Sequence, residues 1–343
     1  MALNPSSSEP TSGSDSDTAV DSDEDAPGER SDLFDTSSDI TELDQSEFSA
    51  YFEERNNRLF HSHGNSPYPL PVDTYEQQRL NIQHALLRWL TGTHCRGPVR
   101  RVLSQVGLRT RVLDLCTGTG QWVLDMAHDY PHVRFDGIDI VPIATRTPPD
   151  NVYFEMADVN MPLRYNTRTF DLVHARSISM AVHDYPRVVD EVARILRPGG
   201  LFVACEWGRS AAMADNLDPA QHAPATFLFY QIVNETLRSR GIMPLAQRLE
   251  SFIEASGQFE RIRPRMYMMP VGSWNDTPGL QELGKRFRIV LVWYAHSMAL
   301  MMIEAGRDPS LVNFVVGGFV HELFTVSGLI CKYFTVSAIK ASD

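Results

Sequence analysis

"RVLDLCTGTGQW", residues 111–122, reads as a short apolar strand that runs into a glycine-bearing loop and then a helix. In a parallel α/β sheet such a turn lies at the carboxyl end of a strand, where ligands are held. A dinucleotide site there requires G-x-G-x-x-G, whose third glycine lets the helix pack close while the pyrophosphate meets its end. Gly118 and Gly120 are present, but Val123 occupies the third position. The pattern for a pyrophosphate is broken.

Working outward, short apolar runs alternate with helical stretches. The runs are "RVLDLC", "HVRFDGIDI", "NVYFEMAD", "TFDLVHA" and "GGLFVACEW". Between the last two lies the amphipathic "YPRVVDEVARILRPGG", closed by Pro198 and two glycines. This alternation predicts a Rossmann-like α/β fold, a mostly parallel sheet with helices on both faces. After residue 208 come two helices, a strand at "FERIRPRMYMMP", a long helical insertion and a last strand near "CKYFTVSAIK". An antiparallel pair would close the sheet. Before the sheet, "SEFSAYFEERNNRLF" and "TYEQQRLNIQHALLRWL" carry helical spacing, joined by the proline-stiffened "NSPYPLPVD". Asp73 is the expected N-cap of the second helix, with Glu76 as its capping-box partner. The expected organisation is a tail over 1–48, a helical cap over 49–107 and a catalytic domain over 108–343.

Charge divides the 343-residue chain. Residues 1–50 hold fourteen acids against the single base Arg30, so the tail accounts for the whole net charge of -12. Rich in Ser, Asp and Pro, it lacks the apolar surface to offset ordering and is expected to be disordered. The nearly neutral remainder gives no reason to expect direct nucleic-acid binding. Cys95, Cys116, Cys205 and Cys331 are scattered without a C-x-x-C pair, which points away from a zinc site or disulfide framework. No basic-then-apolar pattern marks a secretory signal. The apolar "IVLVWYAHSMALMMI", 289–303, is shorter than a bilayer requires, so no membrane association is expected and the chain is placed in cytoplasm or nucleus.

A loop without a pyrophosphate site suits S-adenosylmethionine, whose amino-acid end is zwitterionic and whose reactive centre is a sulfonium. Gly118 and Gly120 let backbone approach the methionine part, and Asp114 is placed to meet its ammonium directly or through water. Asp139 ends the second strand at the distance where an acid accepts from ribose hydroxyls. Asp158 ends the third and is placed to accept from the adenine amino group.

With "LRPGG" following in register, the sequence resembles the seven-stranded class I S-adenosylmethionine-dependent methyltransferases. Their first motif is D-x-G-x-G-x-G, so Cys116 stands where the first glycine would be. It fits there if it keeps an ordinary strand-like backbone, as a buried packing residue. Within the class, the chain is similar to the fungal LaeA-like methyltransferases of secondary metabolism. That resemblance rests on "YPLPVDTYEQQRLNIQH" (68–84), on Gly118-Thr119-Gly120-Gln121-Trp122, on Gly137, Asp139, Pro142 and Ile143, and on "TPPDNV", "FDLVHAR" and "LRPGG". It covers about residues 50–340. Val203 departs from it, standing where relatives often carry Glu, whereas Glu206 matches a later acid.

The resemblance implies a cofactor-binding set of Asp114, Cys116, Thr117, Gly118, Gly120, Asp139, Ile140, Asp158, Val159, His174 and Arg176. A general base is needed only if the acceptor arrives protonated, and His174, His183, Glu206 and His296 are the candidates. No metal site is expected, because acids and histidines do not cluster at ligand spacing in the sequence. Trp293, Tyr294, Met298, Met301 and Met302 either roof an apolar acceptor pocket or form ordinary helix-packing core. Two functions follow from the resemblance: an enzyme methylating a small molecule, or a regulator that works through nuclear partner proteins.

Overall fold

The computed structural model describes residues 43–104 and 110–342. Most of the expected tail lies outside the described residues. Thr41–Asp343 forms one unit.

The first stretch expected to be helical is helical only over Gln45–Tyr51, a 3-10 turn capped by Asp44 and Glu47. Strands β1 (Phe52–Arg55) and β2 (Arg58–His61) then pair as a hairpin. Asn56 and Asn57 form its two-residue turn, both at positive φ, the geometry whose twist matches that of paired strands. Helix α1 (Thr74–Thr91) starts at Asp73, whose carboxylate accepts from the Glu76 amide at 3.1 Å. The expected return bond from Glu76 is not made. Its carboxylate instead takes both Nε and Nη2 of Arg79, at 2.9 and 2.7 Å.

After α2 (Val99–Leu103) the main sheet begins. It contains β3 (Arg111–Leu115), β4 (Arg134–Asp139), β5 (Val152–Met156), β6 (Phe170–Arg176), β7 (Leu196–Trp207), the two-residue β8 (Ala212–Met213), β9 (Phe259–Pro270) and β10 (Leu329–Lys340). The order is β5-β4-β3-β6-β7-β10-β8, with β9 on the opposite edge of β10. The first five strands are parallel and β10 is antiparallel to both β7 and β9. The expected seven strands are therefore present, and β8 adds an eighth that continues the β7 side of β10. Helices α3 (Gln121–Asp129), α4 (Tyr185–Ile195), α5 (Pro219–His222), α6 (Pro224–Ser239) and α7 (Leu249–Ala255) lie between strands. The insertion before β10 is α8 (Pro278–Glu304) and α9 (Pro309–Thr325).

Strand alternation sends side chains into two cores. Val112 and Leu172 join the larger one, with α1, α3, α6, α8 and α9. Leu113, Leu115 and Val173 face the other way, toward α4 and α7. Helix α8 corrects the expected apolar length: at 27 residues it is long and apolar enough to cross a membrane. Here it serves as a core helix, packed on α1, α6, α9 and β9, with Phe287, Met298, Met301 and Met302 buried.

Candidate active site

The loop between β3 and α3 is shaped by three left-handed residues, Cys116 (φ 52°), Gly118 (φ 58°) and Gly120 (φ 75°). Cys116 therefore does not keep the strand-like backbone expected of it. It adopts a conformation that costs a non-glycine residue on the order of 1–2 kcal/mol. Burial pushes its thiol well above the usual range, so it is an unreactive wall residue.

The loop, the ends of β4, β5 and β6, and the chain before and within α1 enclose a cleft of about 1050 Å³ counting its mouth. Of the residues expected to bind a cofactor, Cys116, Thr117, Gly118, Asp139, Ile140, Asp158, Val159 and Arg176 line it. The Gly118 backbone is open to the cleft, since a Cβ there would meet only Leu80 Cδ1 at 3.9 Å. Its amide donates to Asp139 Oδ2 at 2.7 Å, and the Val141 amide donates to Oδ1 at 3.2 Å. Each Asp139 oxygen keeps acceptor capacity beyond its backbone donor. Burial raises the Asp139 pKa despite these amides. Asp158 Oδ1 accepts from the Asn160 amide and side chain, and Oδ2 from the Asn65 amide at 3.4 Å.

Three expected binders do not reach this space. Asp114 pairs with His174 across β3 and β6, on the face that α3 covers. Asp114 Oδ1 lies 2.7 Å from His174 Nδ1, and Oδ2 accepts from Thr117 Oγ1 at 2.8 Å. The His174 ring stacks on Trp122 with centroids 3.8 Å apart. Both side chains are buried beneath the loop, which they brace. Gly120 is turned away as well: a Cβ would sit 2.5 Å from Phe154 Cζ, so glycine is required there for packing and for φ.

A second cavity, about 710 Å³ with its mouth, adjoins the first and shares Tyr68, Leu80, Gln83 and Ser177 with it. Its far wall carries Trp207, Phe287, Val290, Leu291 and Tyr294. Of the residues proposed to roof an apolar pocket, only Tyr294 lines it, while the three methionines are core. Among the base candidates only Glu206 lines it. His296 is exposed, His183 contacts the Asn65 carbonyl with Nε2 at 2.7 Å, and His174 is sealed under the loop. Glu206 Oε1 accepts from the Ser179 amide at 2.8 Å and Oε2 from Ser179 Oγ at 2.9 Å. Burial raises its pKa to about 7.

Sequence reasoning did not single out Tyr68, Leu80, Gln83 or Ser177 as site residues. The first three fall in the "YPLPVDTYEQQRLNIQH" stretch, which was the available signal. It also missed a cluster: ligating atoms of His84, His94 and Asp125 all lie within 4.8 Å of one another, at metal-ligand spacing after all.

Residues 80–241 match the family described as "Methyltransferase domain". The chain is 30% identical over 276 residues to the methyltransferase pytC of Aspergillus terreus, covering 80% of each protein. It is 28% identical over 283 residues to the secondary metabolism regulator laeA of Coprinopsis cinerea, covering 79% of this chain and 69% of the relative. To the methyltransferase str2 of Strobilurus tenacellus it is 26% identical over 260 residues, covering 75% and 89%. With its parallel sheet, left-handed loop and strand-end acids, the chain belongs to the class I S-adenosylmethionine-dependent methyltransferases, among the LaeA-like members.

Proposed function

We propose that this enzyme methylates a small, largely apolar molecule, with S-adenosylmethionine in the first cleft and the acceptor in the second. The observation that carries the reading is the wall common to both cavities, formed by Tyr68, Leu80, Gln83 and Ser177. Methyl transfer from a sulfonium is an in-line displacement, so catalysis consists largely of aligning acceptor, methyl and sulfur. Two adjoining cavities of different character suit that task. In this reading Asp139 accepts from the ribose hydroxyls, Asp158 from the adenine amino group, and the Gly118 backbone lies along the methionine part. Asp114 acts at one remove, by holding Thr117 and His174. Residues 49–107 serve as the cap and 108–343 as the catalytic domain, in cytoplasm or nucleus.

The relatives named methyltransferases support the enzyme reading, and those named for secondary metabolism support a setting in fungal secondary metabolism. The same names, which read secondary metabolism regulator, support a second reading, a regulator; in that reading we place it in the nucleus, acting through partner proteins.

Calorimetry with S-adenosylhomocysteine tests the cofactor site. Wild type binds, and Asp139→Ala weakens binding by about 10- to 100-fold, as expected for losing charge-assisted hydrogen bonds. Absence of binding by folded wild type overturns the reading. Binding without turnover on any small-molecule extract, together with copurification of a nuclear protein, favours the regulator.

A further inference from the structure

We propose that Glu206 is the general base of an O-methylation, and that the acceptor is an apolar ring compound bearing a weakly acidic hydroxyl. This rests on the assignment of the second cavity to the acceptor.

The placement comes from the sheet. Glu206 is the penultimate residue of β7 and is paired with Phe334 of β10. Alternation turns it to the face opposite Cys205. Ser179, in the turn after β6, holds both of its oxygens. Ser179 Oγ in turn accepts from Arg209 Nη1 at 3.1 Å. The Ser179 hydroxyl and the Ser179 and Ile178 amides thus fix the carboxylate in direction, fewer donors than the roughly four lone-pair sites it offers. It is 2% exposed, and its open side is the cavity.

The groups around it leave it alone in this role. Arg209 is the charge that favours its ionised form, while burial opposes it. Cys205, Tyr185, Tyr333 and Cys116 are near enough for their charge to bear on it, and burial pushes all four upward, so each is neutral near pH 7. Farther along the cavity wall, Arg79 is bound by Glu76, and burial likewise pushes Tyr294 up to about 12. A carboxylate near 7 is matched to accepting a proton at neutral pH. Besides these polar groups the wall is aromatic and aliphatic, with Phe287, Val290, Leu291 and Trp207; Trp207 stacks on Phe287 with centroids 5.0 Å apart.

The step balances as follows. The acceptor O–H gives its proton to a Glu206 oxygen while an oxygen lone pair forms the new O–CH3 bond. The C–S bond breaks with its pair returning to sulfur, and the sulfonium becomes a neutral thioether. Glu206 ends protonated and releases the proton to solvent. A neutral amine needs no such base, because its lone pair is free before attack.

The experiment compares three ring-matched probes, 2-naphthol, 2-naphthylamine and 2-naphthalenethiol, with wild type, Glu206→Gln and Glu206→Asp. Wild type is expected to methylate 2-naphthol with a rate that rises through about pH 7. Glu206→Gln lowers that rate by about 10²–10⁴-fold and removes the pH limb, with S-adenosylhomocysteine affinity unchanged. The thiol, already ionised at about pH 9, loses less than about tenfold. Glu206→Asp, which keeps a carboxylate, restores part of the 2-naphthol rate and serves if the glutamine variant does not fold. Equal 2-naphthol rates in wild type and Glu206→Gln overturn the proposal. So does wild-type transfer to the amine or thiol but not to 2-naphthol. Binding of S-adenosylhomocysteine with no transfer to any probe overturns the acceptor assignment and leaves the cofactor reading intact. Loss of that binding in wild type removes both.

Discussion

Arg176 Nη1 stands 3.0 Å from His84 Nδ1, and this contact sets the protonation of the cluster beneath α1. A guanidinium only donates, so Nδ1 presents its lone pair and the ring proton sits on Nε2. That atom faces Asp125 Oδ2 at 3.0 Å, while His94 stacks on the His84 ring with centroids 5.9 Å apart. A metal ion at Nε2 would force the proton onto Nδ1, against Arg176. His84 therefore ties α1 to α3 through Asp125 and to β6 through Arg176, with the His94 ring stacked on it.

The tie has a consequence for acid stability. Burial, then the Arg176 charge, lowers the His84 pKa to about 4, against about 6.5 in an unfolded chain. Between those values the unfolded state binds a proton that the folded state refuses. Unfolding free energy therefore falls as pH drops from about 6.5 to about 4, and levels off below. The contribution is on the order of 3 kcal/mol. Urea unfolding across this window should show a shallower pH slope for His84→Gln than for wild type. Some slope persists, because burial lowers His94 and His174 in the same direction. Identical slopes would show that His84 titrates normally.

Cys116 offers a test of loop strain. Its φ of 52° favours glycine over alanine, the reverse of the preference within a helix or strand. Cys116→Gly and Cys116→Ala both delete the thiol, so comparing them isolates the backbone. The glycine variant should be the more stable by about 1 kcal/mol in urea unfolding. Cys116→Val should fall below both, since a β-branched residue at positive φ is an outlier. An alanine variant as stable as the glycine variant would mean that the loop relaxes.

Much of this arrangement was legible in the residues, and the limits are physical. Parallel strands covered on both faces read as continuous apolar runs, so β3, β4, β5, β6 and β7 stood out. Alternation put Asp114 on the face of Val112, but the register that sets it opposite His174 is a long-range pairing. Local pattern does not encode such a pairing, so the sequence placed Asp114 toward the cofactor, directly or through water, without showing that its side chain meets His174 and Thr117. His296 lies in the most apolar stretch of the chain yet on the exposed side of α8, which only packing decides. The Asn56-Asn57 turn was a local signal that helical spacing obscured. Tyr68 and Leu80 reach the cleft because the cap folds over it, a tertiary fact.

The buried pair Glu76–Arg79 gives a third test. Their side chains are 2% and 5% exposed, and Ser297 Oγ of α8 donates to Glu76 Oε2 at 3.2 Å. Removing one partner leaves the other charge buried and uncompensated. Glu76→Met or Arg79→Met alone should each cost about 3–5 kcal/mol. The double replacement Glu76→Met with Arg79→Met should cost less than the two single losses combined, because no charge remains. Additive losses in a double-mutant cycle would mean that the pair does not interact.

The two loop glycines should fail for different reasons. An alanine Cβ at Gly118 meets little beyond Leu80, so Gly118→Ala bears mainly the cost of positive φ, about 1 kcal/mol, and narrows the cofactor cleft. Its signature is weaker S-adenosylhomocysteine binding with a modest change in melting temperature. At Gly120 the added methyl falls within 2.5 Å of Phe154 Cζ and 2.8 Å of its Cε1, an overlap that must displace the ring or the loop. Gly120→Ala should lose about 2–4 kcal/mol from overpacking and backbone strain together. Phe154→Leu, made in the Gly120→Ala background, should recover the overpacking part and leave the φ cost. The pair of measurements separates the causes: recovery by Phe154→Leu at Gly120 but not at Gly118 is the expected result. If Phe154→Leu fails to help Gly120→Ala, backbone strain alone explains the loss and the ring contact is not what requires glycine at position 120.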